Sequence, residues 1–321
     1  MTNATKTLLV LFAALLALTL GVRWTQSPTA SEAFQGPLLT VDSTQIAGLS
    51  LRPQAPSSPL RVARGDTTWT VRPPDTSAAY AADRPTVENA LQTLLSLTPS
   101  AVVTRQRSKH ARYGVDSTGT HVAIQDDDGE TLRTVIVGQS QPGSRRASPT
   151  TYVRIVGRPD VYAVNQMLAS TLPTSTAAWR DKSVWRVDRA RITRVDFAYP
   201  ADSSFSIRRV EGGTGWVSSG DTLASRAVSR LLRPLSVLNA NGFAEGRSPS
   251  QLAPRYTLRL HVEDGPTRAV RLQPAGTGTY RAAASGYPHV FTVSKNRWDR
   301  AVLQPRAALL ASPEGASAGA S

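Results

Sequence analysis

Residues 120–137 read THVAIQDDDGETLRTVIV, and residues 256–272 read YTLRLHVEDGPTRAVRL. In each stretch two alternating apolar and polar runs flank an Asp-Gly pair, at Asp128-Gly129 and at Asp264-Gly265. Alternation is typical of a half-buried strand, and Asp-Gly is a preferred pair for a tight hairpin turn. The sequence therefore predicts two antiparallel hairpins of one kind, far apart in the chain.

The elements around these hairpins also occur twice. Each copy is predicted to hold a short strand, a hairpin ending in Trp, an amphipathic helix, the hairpin above, an apolar strand and a Trp-bearing segment. Matched residues lie 147 positions apart at Trp69 and Trp216, and 129 apart at Pro159 and Pro288. Because this separation shrinks steadily along the chain, it indicates a duplication followed by loop loss in the second copy.

One amphipathic helix is predicted in each copy. Asp83 is placed to cap the first helix and Asp221 to cap the second. Pro234 is expected to kink the second helix or end it early. The predicted apolar stripes are Val87, Leu91, Leu94, Leu95 and Leu97 in the first helix, and Val228, Leu231, Leu232, Leu235 and Leu238 in the second.

These patterns predict an α+β protein with two repeated units, each an antiparallel sheet with a packed helix. The first repeat is placed at residues 44–186 and the second at 187–310. Trp69 and Trp216 are expected at equivalent buried positions, since each ends a hairpin with a large apolar surface to cover.

The N-terminal region contains an uncharged, Leu-rich run, TLLVLFAALLALTLGV, at residues 7–22. As a helix, residues 7–24 would extend roughly 27 Å, close to the thickness of a bilayer core. A transmembrane anchor at 7–24 is predicted, with a cytoplasmic tail at 1–6, a linker at 25–43 and a disordered tail at 311–321. A cleaved signal peptide is the alternative, although the nearest cleavage-like triplet, Ser31-Glu32-Ala33, lies far beyond the apolar core.

The chain has 321 residues, no cysteine and a formal net charge of +14. Without cysteine there can be no disulfide, thiolate metal site or cysteine nucleophile. Of the 37 basic residues all but four are Arg, which indicates a coding preference as much as a nucleic-acid surface. A nucleic-acid partner is therefore unlikely on this pattern, and anionic lipid is the nearer candidate.

No catalytic, cofactor-binding or metal-binding residue is predicted. The four histidines, His110, His121, His261 and His289, have no metal-ligand spacing. The acidic run at residues 126–130 departs from the EF-hand pattern and is interpreted as a hairpin turn. Residues 212–215 are rich in glycine but lack the Lys-Ser/Thr pair of a phosphate-binding loop.

Arg226, Arg230 and Arg233 recur at helical spacing and share one face of the second helix. This face is a possible docking surface for anionic lipid or an acidic partner, and a merely solvated helix face is the alternative. Further basic residues crowd the junction between the copies: Arg180, Lys182, Arg186, Arg189, Arg191 and Arg194.

Several of these features together resemble the bacterial domain of unknown function 4340 family over about residues 44–310. The resemblance rests on the anchor, the Trp69 strand, Tyr113-Gly114-Val115, the run Val135-Ile136-Val137-Gly138 and the closing Trp179-Arg180-Asp181. It implies an envelope protein, often encoded beside ABC-transporter subunits of the gliding-motility type, and implies no catalytic residues. The second copy lacks an equivalent of Tyr113-Gly114-Val115.

The sequence thus predicts a non-enzymatic accessory or scaffold protein on the outer face of the cytoplasmic membrane, acting with an ABC-type transporter complex. The alternative is an envelope module that binds or senses a ligand in a cleft between the two repeats.

Overall fold

A computed structural model describes residues 36–144 and 148–311. The chain divides into two compact units, Met1–Arg180 and Asp181–Ser321. Antiparallel sheets dominate both, and a few helices complete an α+β fold, as predicted. The predicted anchor at 7–24 lies outside the described residues. Among the residues that are described, no helix combines the length and apolarity needed to cross a membrane.

The first unit is built on one nine-stranded sheet with the order β4-β3-β2-β1-β6-β7-β8-β9-β5. The two hairpins predicted for the first copy, one ending in Trp69 and one at residues 120–137, are present, and neighbouring strands pair antiparallel throughout. The strands are β1 (Gly48–Arg52), β2 (Leu60–Arg64), β3 (Trp69–Arg72), β4 (Tyr80–Ala81), β5 (Ala101–Thr104), β6 (Thr120–Gln125), β7 (Thr131–Gln141), β8 (Thr150–Ile155) and β9 (Val161–Val164).

Helix α1 (Arg84–Leu95) packs on one face of this sheet and buries Val87, Ala90 and Leu94. Its start follows the prediction, because the Asp83 carboxylate accepts a hydrogen bond from Thr86 N at 3.1 Å. Two short helices, α2 (Leu168–Thr171) and α3 (Thr176–Trp179), close the unit.

The segment that enters the first sheet is already part of the core. Leu39 is buried, and Leu38 N donates to Leu97 O at 2.6 Å. Both residues belong to the range 25–43 that was predicted as a linker. The described end of that range therefore packs against the first unit, because its two leucines have apolar surface to bury.

The second unit repeats this strand order in its own nine-stranded sheet, β14-β13-β12-β11-β17-β18-β19-β20-β16. A separate pair, β10 (Ser183–Arg186) with β15 (Val237–Asn239), lies in the same unit, so residues 183–186 pair within the second unit. The other strands are β11 (Ile192–Ala198), β12 (Phe205–Arg209), β13 (Trp216–Ser218), β14 (Asp221–Thr222), β16 (Gly242–Phe243), β17 (Tyr256–Val262), β18 (Arg268–Ala275), β19 (Thr279–Ala284) and β20 (Phe291–Ser294).

Helix α4 (Ser225–Ser236) is the counterpart of α1, and α5 (Lys295–Ala301) is the last helix. The predicted cap at Asp221 is wrong. Ala224 occupies the N-cap position without a side-chain hydrogen bond, while Asp221 lies in β14 and forms an ion pair with Arg306. Pro234 lies in the last turn, and the helix ends two residues later at Ser236, before Leu238, which lies in β15.

The two hairpin tryptophans occupy comparable surroundings in their own units. Trp69 is 6% exposed and Trp216 is 7% exposed. A guanidinium lies over each indole ring, that of Arg64 at 5.3 Å and that of Arg209 at 5.6 Å. Both tryptophans are buried, as expected.

Candidate functional site

Helix α4 holds its arginine face rigidly because its opposite face is fixed in the core. Arg226, Arg230 and Arg233 are all exposed. Spacings of four and three residues place them on one side of the helix. The residues that anchor the other side are Val228, Leu231, Leu232 and Leu235, each buried in the core of the second unit.

These arginines have no neutralising partner in the described part of the chain. No carboxylate lies within ion-pair distance of their guanidinium groups, whereas Arg194, Lys295 and other cations of this unit do form such pairs. The three charges remain available to an external anion.

A shallow depression adjoins this face where α4 meets α5 and the C-terminal turn. It has a volume of about 240 Å³. Arg230 and Arg300 lie on its rim with Gln304, and its floor contains Leu231 and Leu309. Arg300, an exposed residue of α5, extends the positive surface beyond the three arginines of α4 that the sequence indicated.

The basic residues near the junction differ in their exposure and in their contacts. Arg180 is 3% exposed, and its guanidinium lies 3.9 Å from the centre of the Tyr80 ring. In the second unit, Arg194 Nε pairs with Asp196 Oδ1 at 2.6 Å, and Arg191 donates to Glu263 O. Burial of the Arg180 guanidinium requires such a partner, whereas Arg186, Arg189, Arg191 and Arg194 are exposed.

The histidines occupy separate places. His110 Nε2 lies 2.8 Å from Pro159 O, and His261 Nε2 lies 2.7 Å from Asp196 Oδ2. Burial raises the pKa of Asp196, but hydrogen bonds from Arg194 and His261 outweigh it and lower the pKa below its usual range. His121 Nε2 is buried and has no hydrogen-bond partner among the described residues. Over the same residues, no group of three potential ligands could hold a metal ion.

The acidic run at 126–130 is the turn between β6 and β7. Asp126 Oδ1 accepts from Glu130 N at 2.8 Å, and Gly129 N donates to Asp126 O. Gly129 has a φ of +80°, which an Asp-Gly turn requires. The hairpin interpretation of this run is confirmed.

The Tyr113-Gly114-Val115 motif contributes packing. It crosses one face of the first sheet, where Val115 joins a small core with Ile136 and Val161. A Cβ atom added at Gly138 would lie 2.2 Å from Tyr113 O, so only glycine permits this approach. The motif therefore fixes a loop against a strand.

Sequence reasoning missed two larger cavities in the second unit. One lies beside Trp216 and along α4, with a volume of about 460 Å³. The other lies at the end of the sheet, has a volume of about 550 Å³ and is walled by tyrosines. The cluster of Phe197, Tyr199 and Phe205 within nine positions was the available signal for the second cavity.

A family model described as a domain of unknown function (DUF4340) matches residues 75–259, more than half of the chain. The match begins after β3 in the first unit and ends within β17 of the second. No curated protein and no solved structure matches the chain.

Proposed function

Because the chain belongs to the DUF4340 family, we propose that it is a membrane-anchored, extracytoplasmic accessory or scaffold protein of an ABC-type transporter complex, without catalytic activity. The apolar run within residues 7–24 would supply the anchor. The charge balance around that run favours a cytoplasmic N-terminus and an external domain.

We further propose that the two units are copies of one structural repeat. The common strand order of their sheets supports this, as does the placement of α1 and α4 after the fourth strand of each sheet. Two similar units on one anchor would give a scaffold two binding surfaces, and the sequence of each surface could change independently of the other.

The arginine face of α4 is the observation that supports docking best. It combines three exposed guanidinium groups, a rigid helix beneath them and no internal carboxylate partner in the described chain. Each basic residue near an anionic surface contributes on the order of 1 kcal/mol to association. The attraction should weaken with salt, since exposed charges are screened over about 10 Å at 0.1 M ionic strength.

The docking proposal is tested by replacing Arg226, Arg230 and Arg233 together with Gln in the full-length chain. Affinity purification from solubilised membranes, at two salt concentrations, measures the recovery of ABC-transporter subunits identified by mass spectrometry. We expect recovery to fall in the variant at low salt, and the difference from wild type to shrink at high salt. The melting temperature should barely change, because the three side chains are exposed.

A matched control removes the same charge from the first unit. Arg61, Arg72 and Arg133 are exposed on strands of the first sheet. Their replacement by Gln should leave transporter recovery unchanged. Equal losses in both triple variants would mean that net charge alone drives association, and the α4 face would lose its assigned role.

The anchor and its orientation need a separate measurement. Intact-mass analysis of the membrane fraction should find residues 7–24 on the mature protein. Protease added to spheroplasts should digest the bulk domain. A mature N-terminus near Phe34 would establish cleavage, and a protected domain would reverse the orientation.

A further inference from the structure

The tyrosine-walled cavity of the second unit lies where the β11–β12 loop, the starts of β17 and β19, and α5 converge. Its volume of about 550 Å³ falls within the range of small-molecule sites. Aromatic and polar side chains both line it, the main ones being Tyr199, Phe205, Tyr256, Tyr280, Lys295 and Asp299.

The aromatic wall is one continuous, rigid surface. The ring centres of Tyr199 and Phe205 lie 5.8 Å apart, those of Tyr199 and Tyr256 5.5 Å, and those of Tyr256 and Tyr280 5.9 Å. All three pairs meet edge to face, the geometry that the ring quadrupoles favour. Behind them, Phe197 stacks on Phe205 at 4.6 Å, which holds the wall in place.

A polar cluster adjoins the aromatic wall at Tyr280. Tyr280 Oη donates to Asp299 Oδ1 at 2.6 Å, and Lys295 forms an ion pair with Asp299 Oδ2. The side chains of Lys295 and Asp299 are 38% and 36% exposed, so a ligand can reach both. The cluster thus offers an ammonium donor and a carboxylate acceptor with unused hydrogen-bonding capacity.

Near neutral pH the carboxylate of this cluster is ionised, and the phenols beside it are protonated. Burial raises the pKa of Asp299, but hydrogen bonds from Lys295 and Tyr280 outweigh it and lower the pKa below its usual range. Burial is also the main reason why the pKa values of Tyr199 and Tyr280 are raised well above the usual value for tyrosine. The carboxylate therefore accepts, while the Tyr199 and Tyr280 hydroxyls already donate to Gln304 O and Asp299 Oδ1.

The rim loop between β11 and β12 adopts a strained backbone. Ala201 and Asp202 have φ values of +57° and +55°, in the left-handed region that side chains with a Cβ atom rarely occupy. Ser204 Oγ holds the loop by accepting from Tyr199 N and donating to Tyr199 O. Strain of this kind concentrates at binding sites, where the surrounding contacts maintain it.

In the first unit, the residues at the matching strand positions are not aromatic. By strand register, Tyr256 corresponds to Thr120 and Tyr280 to Thr151. The facing pair Phe197 and Phe205 likewise corresponds to Leu51 and Leu60. The sheet itself can therefore form without these rings, and the aromatic wall is a property of the second unit alone.

From this geometry we infer that the cavity is a carbohydrate-binding site for one or two sugar rings. A sugar ring presents apolar C–H faces and a polar edge of hydroxyl groups. The aromatic wall offers the apolar surface, and Lys295 and Asp299 offer hydrogen bonds to the edge. This inference goes beyond the proposed scaffold role and does not depend on the anchor or the transporter.

A polyproline-type peptide, the other common ligand of aromatic grooves, fits the cavity less well. Such peptides lack free N–H donors at their prolines and present mainly apolar rings. One bound here would desolvate Lys295 and Asp299 without replacing their hydrogen bonds to water, which is costly. A ligand rich in hydroxyl groups would replace them.

The test uses the full-length chain in detergent micelles and ligand-observed saturation-transfer NMR. The probes are chitotriose, maltotriose and cellotriose at up to about 10 mM, which covers dissociation constants in the millimolar class. At least one trisaccharide should receive saturation from the protein. Tyr256→Thr, which introduces the residue of the first unit, and Asp299→Asn should each weaken that binding by about tenfold or more.

Two controls separate binding from folding. Tyr152→Thr removes a half-buried tyrosine of the first unit that does not line the cavity, and it should leave the affinity unchanged. Thermal melting of each variant shows whether it is folded, and Asp299→Asn preserves the side-chain shape if Tyr256→Thr does not fold. Absence of binding by all three sugars, or binding that both cavity variants leave intact, would overturn the proposal. So would binding of a ten-residue polyproline peptide that is lost in Tyr256→Thr when no sugar binds.

Discussion

The two units have the same strand order, yet they differ at the start of their main helices. In the first unit, the Asp83 side chain caps α1, and Arg84 pairs with Glu88 one turn later at 3.7 Å. In the second, α4 begins without a side-chain cap and presents its arginine face to solvent. The helix that is less well capped thus carries the unpaired charges.

They differ again at the end of the sheet where β1 meets β2 and β11 meets β12. Aliphatic Leu51 and Leu60 face each other in the first unit, and aromatic Phe197 and Phe205 do so in the second. Backbone pairing is the same in both, because strand pairing depends on hydrogen bonds and alternation more than on the identity of a core side chain. Matched positions can therefore acquire new chemistry without changing the fold.

The largest expected effect concerns the buried hairpin tryptophan that each unit contains. Trp69→Ala should lower the free energy of unfolding of the first unit, and Trp216→Ala that of the second. We expect each loss to be about 3–5 kcal/mol, the usual cost of deleting a large buried aromatic side chain. Hydrogen exchange, followed separately on peptides of each unit, measures both losses. A strong effect for one tryptophan and none for the other would show that the two positions are not equivalent.

The next effect concerns the helix starts. Asp83→Ala should destabilise α1 by about 1 kcal/mol, because the Thr86 N–H loses its acceptor. Ala224→Ser should stabilise α4 by up to about 1 kcal/mol, since Ala224 already has extended backbone angles suited to a capping side chain. Hydrogen exchange of the first-turn amides reports both changes. Destabilisation by Ala224→Ser would mean that the site has no room for the hydroxyl.

The smallest expected effect is a pH dependence confined to the first unit. Burial, assisted by nearby Arg52, lowers the pKa of His121, so the folded state disfavours its charged form. The stability contributed by neutral His121 is complete above the unfolded pKa of about 6.5 and is lost as pH falls through the lower folded pKa. We expect the effect to be small because His121 is only partly buried.

This pH dependence is checked by comparing wild type with His121→Thr, which introduces the residue found at the matching position, Thr257. Unfolding of the first unit is measured at about pH 7.5 and about pH 5. The wild type should lose more stability than the variant on acidification, and the second unit should respond equally in both proteins. Identical losses in the first unit would assign its acid sensitivity to other groups.

The predictions that held rest on local patterns. The hairpins at 120–137 and 256–272 follow from alternation and Asp-Gly turns, and the start of α1 follows from Asp83 immediately before the helix. Asp221 failed as a cap because it lies in β14, three residues before the N-cap Ala224, where Arg306 binds its carboxylate. The exposure of Arg226, Arg230 and Arg233 was predictable from helical spacing, whereas the contribution of Arg300 was not, because it lies on another helix.

The sequence by itself determined the α+β class, the hairpins, the two buried tryptophans and the exposed arginine face, because each depends on residues only a few positions apart. Only the tertiary structure decided that Tyr199, Tyr256 and Tyr280 form one wall and that Lys295 and Asp299 face it. Strand order brings these residues together, and strand order depends on pairing between distant segments that no local pattern encodes.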